Sequence, residues 1–111
     1  MNKEEVKELL AFGTEFKEEI EMWKILTRIL ERNKIPPSKF MSSLPFVIGG
    51  ILVSNDTVDA DKFLEVFIKV TRLAIKFIRM SNTLEEDSLE GEQLREMVKE
   101  IISEGIKGDE Q

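Results

Sequence analysis

The chain lacks several of the residue types on which catalytic and metal sites depend. It contains no cysteine, no histidine and no tyrosine among its 111 residues. Without cysteine it has no disulfides, no thiolate nucleophile and no zinc–sulfur site. Without histidine it lacks the commonest general base and any Ser-His-Asp triad. We therefore predict a non-enzymatic protein that needs no cofactor.

Long apolar runs are also absent. The longest is LPFVIGGILVS at residues 44–54, whereas a membrane-spanning helix needs about 20 apolar residues. The flanks are serine, asparagine and aspartate rather than the basic residues typical of a membrane-surface helix. The N-terminal MNKEEVKELL has no apolar stretch of the signal-peptide kind. We expect a cytoplasmic protein with no membrane contact.

With only three prolines and six glycines, and with Glu, Lys, Leu, Ile and Met abundant, the composition favours helices. The spacing of apolar residues predicts an all-α fold, a compact bundle of about four main helices. These are one long N-terminal helix at 3–33 that either continues through Gly13 or breaks there, a short apolar helix at 43–54 capped by Ser43, a central helix at 59–82 and a C-terminal amphipathic helix at about 90–104. We expect a single helical domain at 1–104 and a polar tail at 105–111.

The second half of the long helix is apolar on two sides. Trp23 continues a heptad seam, and other apolar residues lie on the opposite side. A helix that is apolar on opposite sides is packed on both, and a symmetric dimer is one way to pack it. The predicted partner-binding residues on this helix are Met22, Trp23, Ile25, Leu26 and Ile29.

The apolar run at 44–54 is best explained as core. A helix without a polar side has to be enclosed, so Ile48 and Leu52 should be buried. Gly49 and Gly50 would let a neighbouring backbone approach closely, at about 1 kcal/mol of helix propensity each. A ligand pocket at the two glycines is the alternative to a side-chain-filled core.

The central helix carries a basic stripe, which we define as Lys69, Arg72, Lys76 and Arg79. Like charges at this spacing destabilise an isolated helix, and residues 84–111 carry a net charge of −7 within a chain of −6. We therefore predict that an acidic residue of that segment pairs with the stripe, in the same chain or across a dimer. The candidates are Glu85, Glu86, Glu92 and Glu96. A solvated stripe is the simple alternative; a stripe that binds an acidic protein or nucleic acid is a further one, which the acidity of the whole chain disfavours.

Glu15 and Glu18 form the only metal-site candidate that we single out. Residues three apart on one helix share a face, and two carboxylates there can hold a divalent cation. On this pair would rest the alternative of a divalent-metal-dependent, all-α nucleotide phosphohydrolase. A solvated acidic surface explains the same residues. The leading hypothesis is instead an acidic, all-α protein–protein interaction module that self-associates as a homodimer, with a further protein partner as an option.

Overall fold

In a computed structural model, which describes residues 1–109, the chain is all-helical, as predicted. The described residues form five helices rather than four and contain no strand. They are α1 (Lys3–Glu15), α2 (Lys17–Arg32), α3 (Pro37–Ser54), α4 (Ala60–Glu85) and α5 (Leu89–Asp109).

The long N-terminal helix is interrupted, but not at Gly13. The break lies at Phe16, whose backbone (φ −101°, ψ 26°) leaves the helical region between α1 and α2. Gly13 is inside α1, facing the ring of Phe77. A Cβ at this position would lie 2.5 Å from Cε2 of that ring. The glycine therefore makes room for an aromatic side chain, and a continuous helix over 3–33 is ruled out.

The third helix begins six residues before the predicted start at Ser43. Proline is favoured at the first helical position, where no N–H donor is needed, and Pro37 occupies it. Ser43 is not a cap, because its hydroxyl donates to the carbonyl of Phe40 at 2.7 Å within the helix. Pro45 consequently lies inside α3 rather than in its first turn. The two prolines at 36–37 thus separate α2, which ends at Arg32, from α3, which begins at Pro37.

The predicted bounds of the last two helices are close to those observed. Asp59 caps α4 by accepting from the backbone N–H groups of Asp61 and Lys62 at 3.1 and 3.2 Å, and α4 extends three residues past the predicted end. Ser88 caps α5 through the N–H of Gly91 at 3.1 Å. Helix α5 continues to Asp109, so most of the predicted tail at 105–111 is helical, and residues 110–111 lie outside the described residues.

The chain divides into two compact units, and the division falls within α4. The terminal unit comprises Met1–Glu15 and the chain from Val70 onward; the middle unit is Phe16–Lys69. The single domain expected at 1–104 stays a prediction, since it concerns independent folding. We describe each unit separately.

The terminal unit has a buried core to which three helices contribute. Val6 and Leu9 of α1, Met80 of α4 and Leu94 of α5 form one cluster. Phe12 is also buried, and its ring lies 5.9 Å from that of Phe77, centroid to centroid. The partly buried residues packed against the cluster are Leu10, Leu73, Phe77, Leu84, Met97, Val98 and Ile101.

Polar contacts also hold the helices of the terminal unit together. The Arg95 guanidinium donates to the carbonyls of Leu84 and Glu86 at 2.8 and 2.9 Å, satisfying the C-terminal end of α4. The Lys3 ammonium pairs with Glu104 at 2.6 Å and with Glu100 at 3.3 Å, joining α1 to α5. The hydrogen bonds to these two carboxylates, that to Glu104 foremost, raise the pKa of Lys3.

Candidate interaction surface

The middle unit has no buried residue anywhere along Phe16–Lys69, all of which the structure describes. This is unexpected for a segment so rich in large apolar residues, since these are the residues that usually fill protein interiors. The candidate site of the protein is therefore a surface, and its parts are the three helical segments of this unit.

Helix α2 exposes both of the apolar sides that its sequence predicts. None of its residues is buried. Trp23, on the seam side, is about half exposed, and so are the residues on the other side. The exposed set on α2 is Met22, Trp23, Ile25, Leu26 and Ile29.

The end of α2 is fixed by a Schellman motif. The N–H of Lys34 donates to the carbonyl of Glu31 at 3.1 Å, and the N–H of Ile35 donates to that of Leu30 at 3.0 Å. Lys34 takes the left-handed backbone conformation (φ 54°) that the motif requires and that glycine adopts most readily. Ile35 and Leu30 are also the pair whose side chains normally meet across this motif.

The motif places α2 beside α3, and the two helices line one apolar groove. Its volume is about 360 Å³, and Trp23 lies at its wall. The other lining residues are Leu26, Thr27, Leu30, Glu31, Ile35, Pro37, Phe40, Met41 and Leu44. A half-exposed tryptophan beside an apolar groove is a typical anchor of a protein–protein interface.

Helix α3 corrects our expectation that the apolar run is core. Ile48 and Leu52 are half-buried rather than buried. The opposite side of the helix is exposed, and Phe46 there is 82% exposed. We call this side the outer face of α3 and define it by Phe46, Val47, Gly50, Val53 and Ser54. The physical reason is that a helix that is apolar all round needs cover on every side, whereas the described chain covers only one. The exposed large apolar residues of α3 are Met41, Phe46, Val47, Ile51 and Val53.

The two glycines of α3 are not approached by any part of the described chain. A Cβ added to Gly49 or to Gly50 would meet nothing within 4 Å. The close backbone neighbour that we predicted is therefore absent from within the described chain, and the alternative of a ligand pocket at the two glycines stays a hypothesis. Gly50 is itself exposed and lies on the outer face of α3.

The first half of α4 also exposes its large apolar residues. Phe63 and Phe67 stack on one another with ring centroids 6.1 Å apart, yet both remain exposed. The exposed large apolar residues of this segment are Phe63, Leu64, Val66, Phe67 and Ile68. With Ile35 and Val58 in the connections, the middle unit exposes seventeen large apolar side chains.

The basic stripe has no acidic partner from residues 84–106. Lys69 pairs with Glu65 of its own helix at 3.6 Å. No carboxylate of the described residues lies within 4 Å of Arg72, Lys76 or Arg79. Of the acidic residues proposed to reach the stripe, Glu96 pairs with Lys99 of its own helix at 3.4 Å. The pairing that we expected within one chain is therefore wrong, and pairing across a dimer stays a prediction.

Glu15 and Glu18 do not lie on one continuous helix. Glu15 is the last residue of α1 and Glu18 the second of α2, with the break at Phe16 between them. Among the described residues no group of three or more Asp or Glu side chains is placed to share a metal ion. The phosphohydrolase alternative has thereby lost the one-helix spacing on which it was based. Thermal stabilisation by Mg²⁺ or Mn²⁺, about 2.7 kcal/mol at 100 times the dissociation constant, would still test it.

Sequence reasoning identified the exposed residues of α2 but assigned those of the run at 44–54 in α3 to the core. The available signal was the absence of any polar side on α3.

No helix among residues 1–109 is both long enough and apolar enough to cross a membrane. No protein-family model, curated protein or solved structure matches this chain.

Proposed function

We propose that the protein is a self-associating interaction module whose middle unit forms the interface between two copies of the chain. The observation that carries this proposal is the absence of any buried residue along Phe16–Lys69 alongside seventeen exposed large apolar side chains. Exposed apolar surface of this extent marks a protein interaction site.

The amount of surface supports a dimer. Seventeen large side chains, each exposed to about half of its area, present on the order of 500–1,000 Å² of apolar surface. A standard interface buries about 800 Å² on each partner. The exposed apolar surface of the middle unit is therefore sufficient to supply an interface of that size.

The charge of the middle unit permits a second copy as the partner. The middle unit has eight basic and eight acidic residues and is therefore neutral, so two copies of it can approach without net repulsion. A symmetric dimer presents the same surface twice, and each copy thereby supplies the apolar cover that the other lacks.

Two isoleucines provide a matched test. Ile25 of α2 and Ile102 of α5 are each 54% exposed, one in each unit. Glutamate at Ile25 places a charge in the proposed interface, whereas glutamate at Ile102 lies outside it. In gel filtration with light scattering we expect wild type and Ile102→Glu to be dimers, and Ile25→Glu to be a monomer with retained helical circular dichroism.

One outcome of this test would reject the proposal, and a second would restrict the interface to α3 and the first half of α4. A monomeric wild type would show that a second copy does not cover the middle unit, and the same monomer bound to phospholipid vesicles would assign the surface to lipid instead. A stable Ile25→Glu dimer as tight as that of Ile102→Glu would show that α2 lies outside the interface.

A second candidate function has one specific observation in its favour. Arg72, Lys76 and Arg79 are exposed, and no described carboxylate lies within 4 Å of them. They are available to an acidic partner, including a nucleic-acid backbone. Binding to a generic DNA duplex should then weaken with salt by about 0.9 in log–log slope for each phosphate contact. No detectable binding at low salt would remove the nucleic-acid form of this candidate.

A further inference from the structure

The outer face of α3 has a composition that specifies how two copies would meet. Along one row of this helix, at spacings of four, lie Phe46, Gly50 and Ser54. The row runs from a large residue through a residue without a side chain to a small one. The hydroxyl of Ser54 is already satisfied, because it donates to the carbonyl of Gly50 at 3.0 Å.

We infer that two α3 helices of a dimer cross antiparallel, back to back, with the two-fold axis beside Gly50. This inference rests on the proposed self-association and adds its geometry. Rows at spacings of four pack against one another in the commonest class of helix crossing, at about 50°. An antiparallel crossing at Gly50 sets Phe46 of each copy against Ser54 of the other, so that large meets small at both ends of the contact.

The alternative orientation fits less well. In a parallel crossing, Phe46 would face its own symmetry mate and Ser54 would face Ser54, which crowds one end of the contact and leaves the other underfilled. Interiors pack densely, and both errors destabilise. The antiparallel pairing avoids them without any change in the side chains.

The open space at Gly50 supports the position of the axis. A Cβ at Gly50 would meet nothing within 4 Å in the described chain, and the residue is exposed. Glycine destabilises a helix by about 1 kcal/mol relative to alanine. Close packing of a second backbone against Gly50 would offset this loss. The neighbours of Gly50 on this face, Val47 and Val53, are apolar and exposed.

Charge on α3 favours the same partner. Lys39 is the only charged residue of this helix, and it lies near the N-terminal end, away from the outer face at 46–54. A partner that offered charged groups would leave them without counter-charges, at a cost in free energy. A second copy of the same uncharged face has no such cost.

Disulfide cross-linking tests the geometry directly, because the chain has no cysteine of its own. Packed helices have axes about 8–10 Å apart, which brings the Cα atoms at the crossing point within the limit of about 7 Å for a disulfide. Under mild oxidation we expect Gly50→Cys to form a covalent dimer. Gly105→Cys, an equally open glycine on α5, is the control that should not.

A mixed pair repeats the test without altering Gly50. When the Phe46→Cys protein is mixed with the Ser54→Cys protein, we expect a covalent heterodimer. The Phe46→Cys protein alone should form no covalent dimer. Cross-linking of Phe46→Cys with itself would indicate a parallel crossing and overturn the inference.

Failure of this inference is distinguishable from failure of the proposed function. A non-covalent dimer that forms no disulfide in either test leaves self-association standing but places α3 outside the contact. A wild type that is monomeric by light scattering rejects both.

Discussion

The terminal and middle units contain similar apolar residues but bury them to different extents. In the terminal unit, Val6 is fully buried and Met80 is 1% exposed within a core to which three helices contribute. In the middle unit no residue is buried, although Phe46, Trp23 and their neighbours are at least as hydrophobic. Hydrophobicity alone therefore does not determine burial. A side chain is buried only where other helices of the described chain pack over its face.

The two units also differ in net charge. The terminal unit has eight basic and fourteen acidic residues, whereas the middle unit has eight of each. A net charge keeps a surface soluble and apart from its copies, and a neutral, apolar surface lacks that protection. The proposed self-association would provide cover for the middle unit, which, unlike the terminal unit, has no buried residue.

The largest expected effect comes from placing a charge in each unit. Met80→Asp buries an unpaired carboxylate in the core, which costs several kcal/mol against a typical total stability of about 5–15 kcal/mol. We expect loss of helical circular dichroism at 25 °C. Phe46→Asp, on the exposed outer face of α3, should keep the helical signal and lose only the dimer. A folded Met80→Asp protein would contradict the core assignment.

A pair of glycines in α5 gives the next largest effect. A Cβ at Gly91 would lie 2.6 Å from the carbonyl oxygen of Thr83 and would also clash with that of Glu86, both of them backbone atoms. We expect Gly91→Ala to lose about 2–3 kcal/mol in urea unfolding, which is the upper part of the range of about 1–3 kcal/mol for overpacked sites. Gly105→Ala meets no atom within 4 Å and should gain up to about 1 kcal/mol of helix propensity. Equal effects of the two changes would refute the close approach at Gly91.

The third largest expected effect comes from removing the Arg95 guanidinium. Arg95→Leu deprives the carbonyls of Leu84 and Glu86 of a charged donor, and we expect a loss of about 1–2 kcal/mol, because the site is only partly buried. Both hydrogen bonds come from the same nitrogen, Nη1. Arg95→Lys keeps the charge but replaces the rigid, planar guanidinium with a flexible ammonium, so its loss should be intermediate. Thermal melts of the three proteins give the order; a Lys variant less stable than the Leu variant would contradict this account.

The smallest effect concerns the middle unit and should be stabilising. Lys34 has a positive φ (54°), where a side chain costs about 1 kcal/mol relative to glycine. We expect Lys34→Gly to stabilise the Schellman motif by roughly that amount. Trp23 is the only tryptophan of the chain, so its fluorescence during urea unfolding reports on this unit. A destabilised Lys34→Gly protein would mean that the left-handed conformation is not retained.

The sequence predicted the fold class and most helix ends because those depend on local chemistry. Pro36-Pro37, Asp59 and the apolar spacing of α5 act within a few residues of themselves. The break at Phe16 was not predictable, since the apparent signal, Gly13, is explained by the ring of Phe77, which is distant in sequence. Met80 was likewise missed as a core residue because its burial depends on packing against α1 and α5.

The candidate surface was predictable only in part. Apolar residues on two sides of α2 indicated an interface, because one helix cannot hide both sides. The same argument applied to α3, but the run at 44–54 was assigned to the core because its apolar character alone does not distinguish enclosure within one chain from enclosure between two. The acidic segment was expected at the basic stripe, whereas its Glu100 and Glu104 pair with Lys3.

Sedimentation equilibrium of the wild-type chain, from about 1 to 100 μM, tests the central claim most directly. Completion of the middle unit by a second copy predicts a mass of twice the 12.8 kDa chain at the upper concentrations, falling toward that of one chain on dilution if the dimer dissociates in this range. A mass of one chain throughout, with the helical signal intact, would contradict the claim that the exposed apolar surface of the middle unit is an interface between copies.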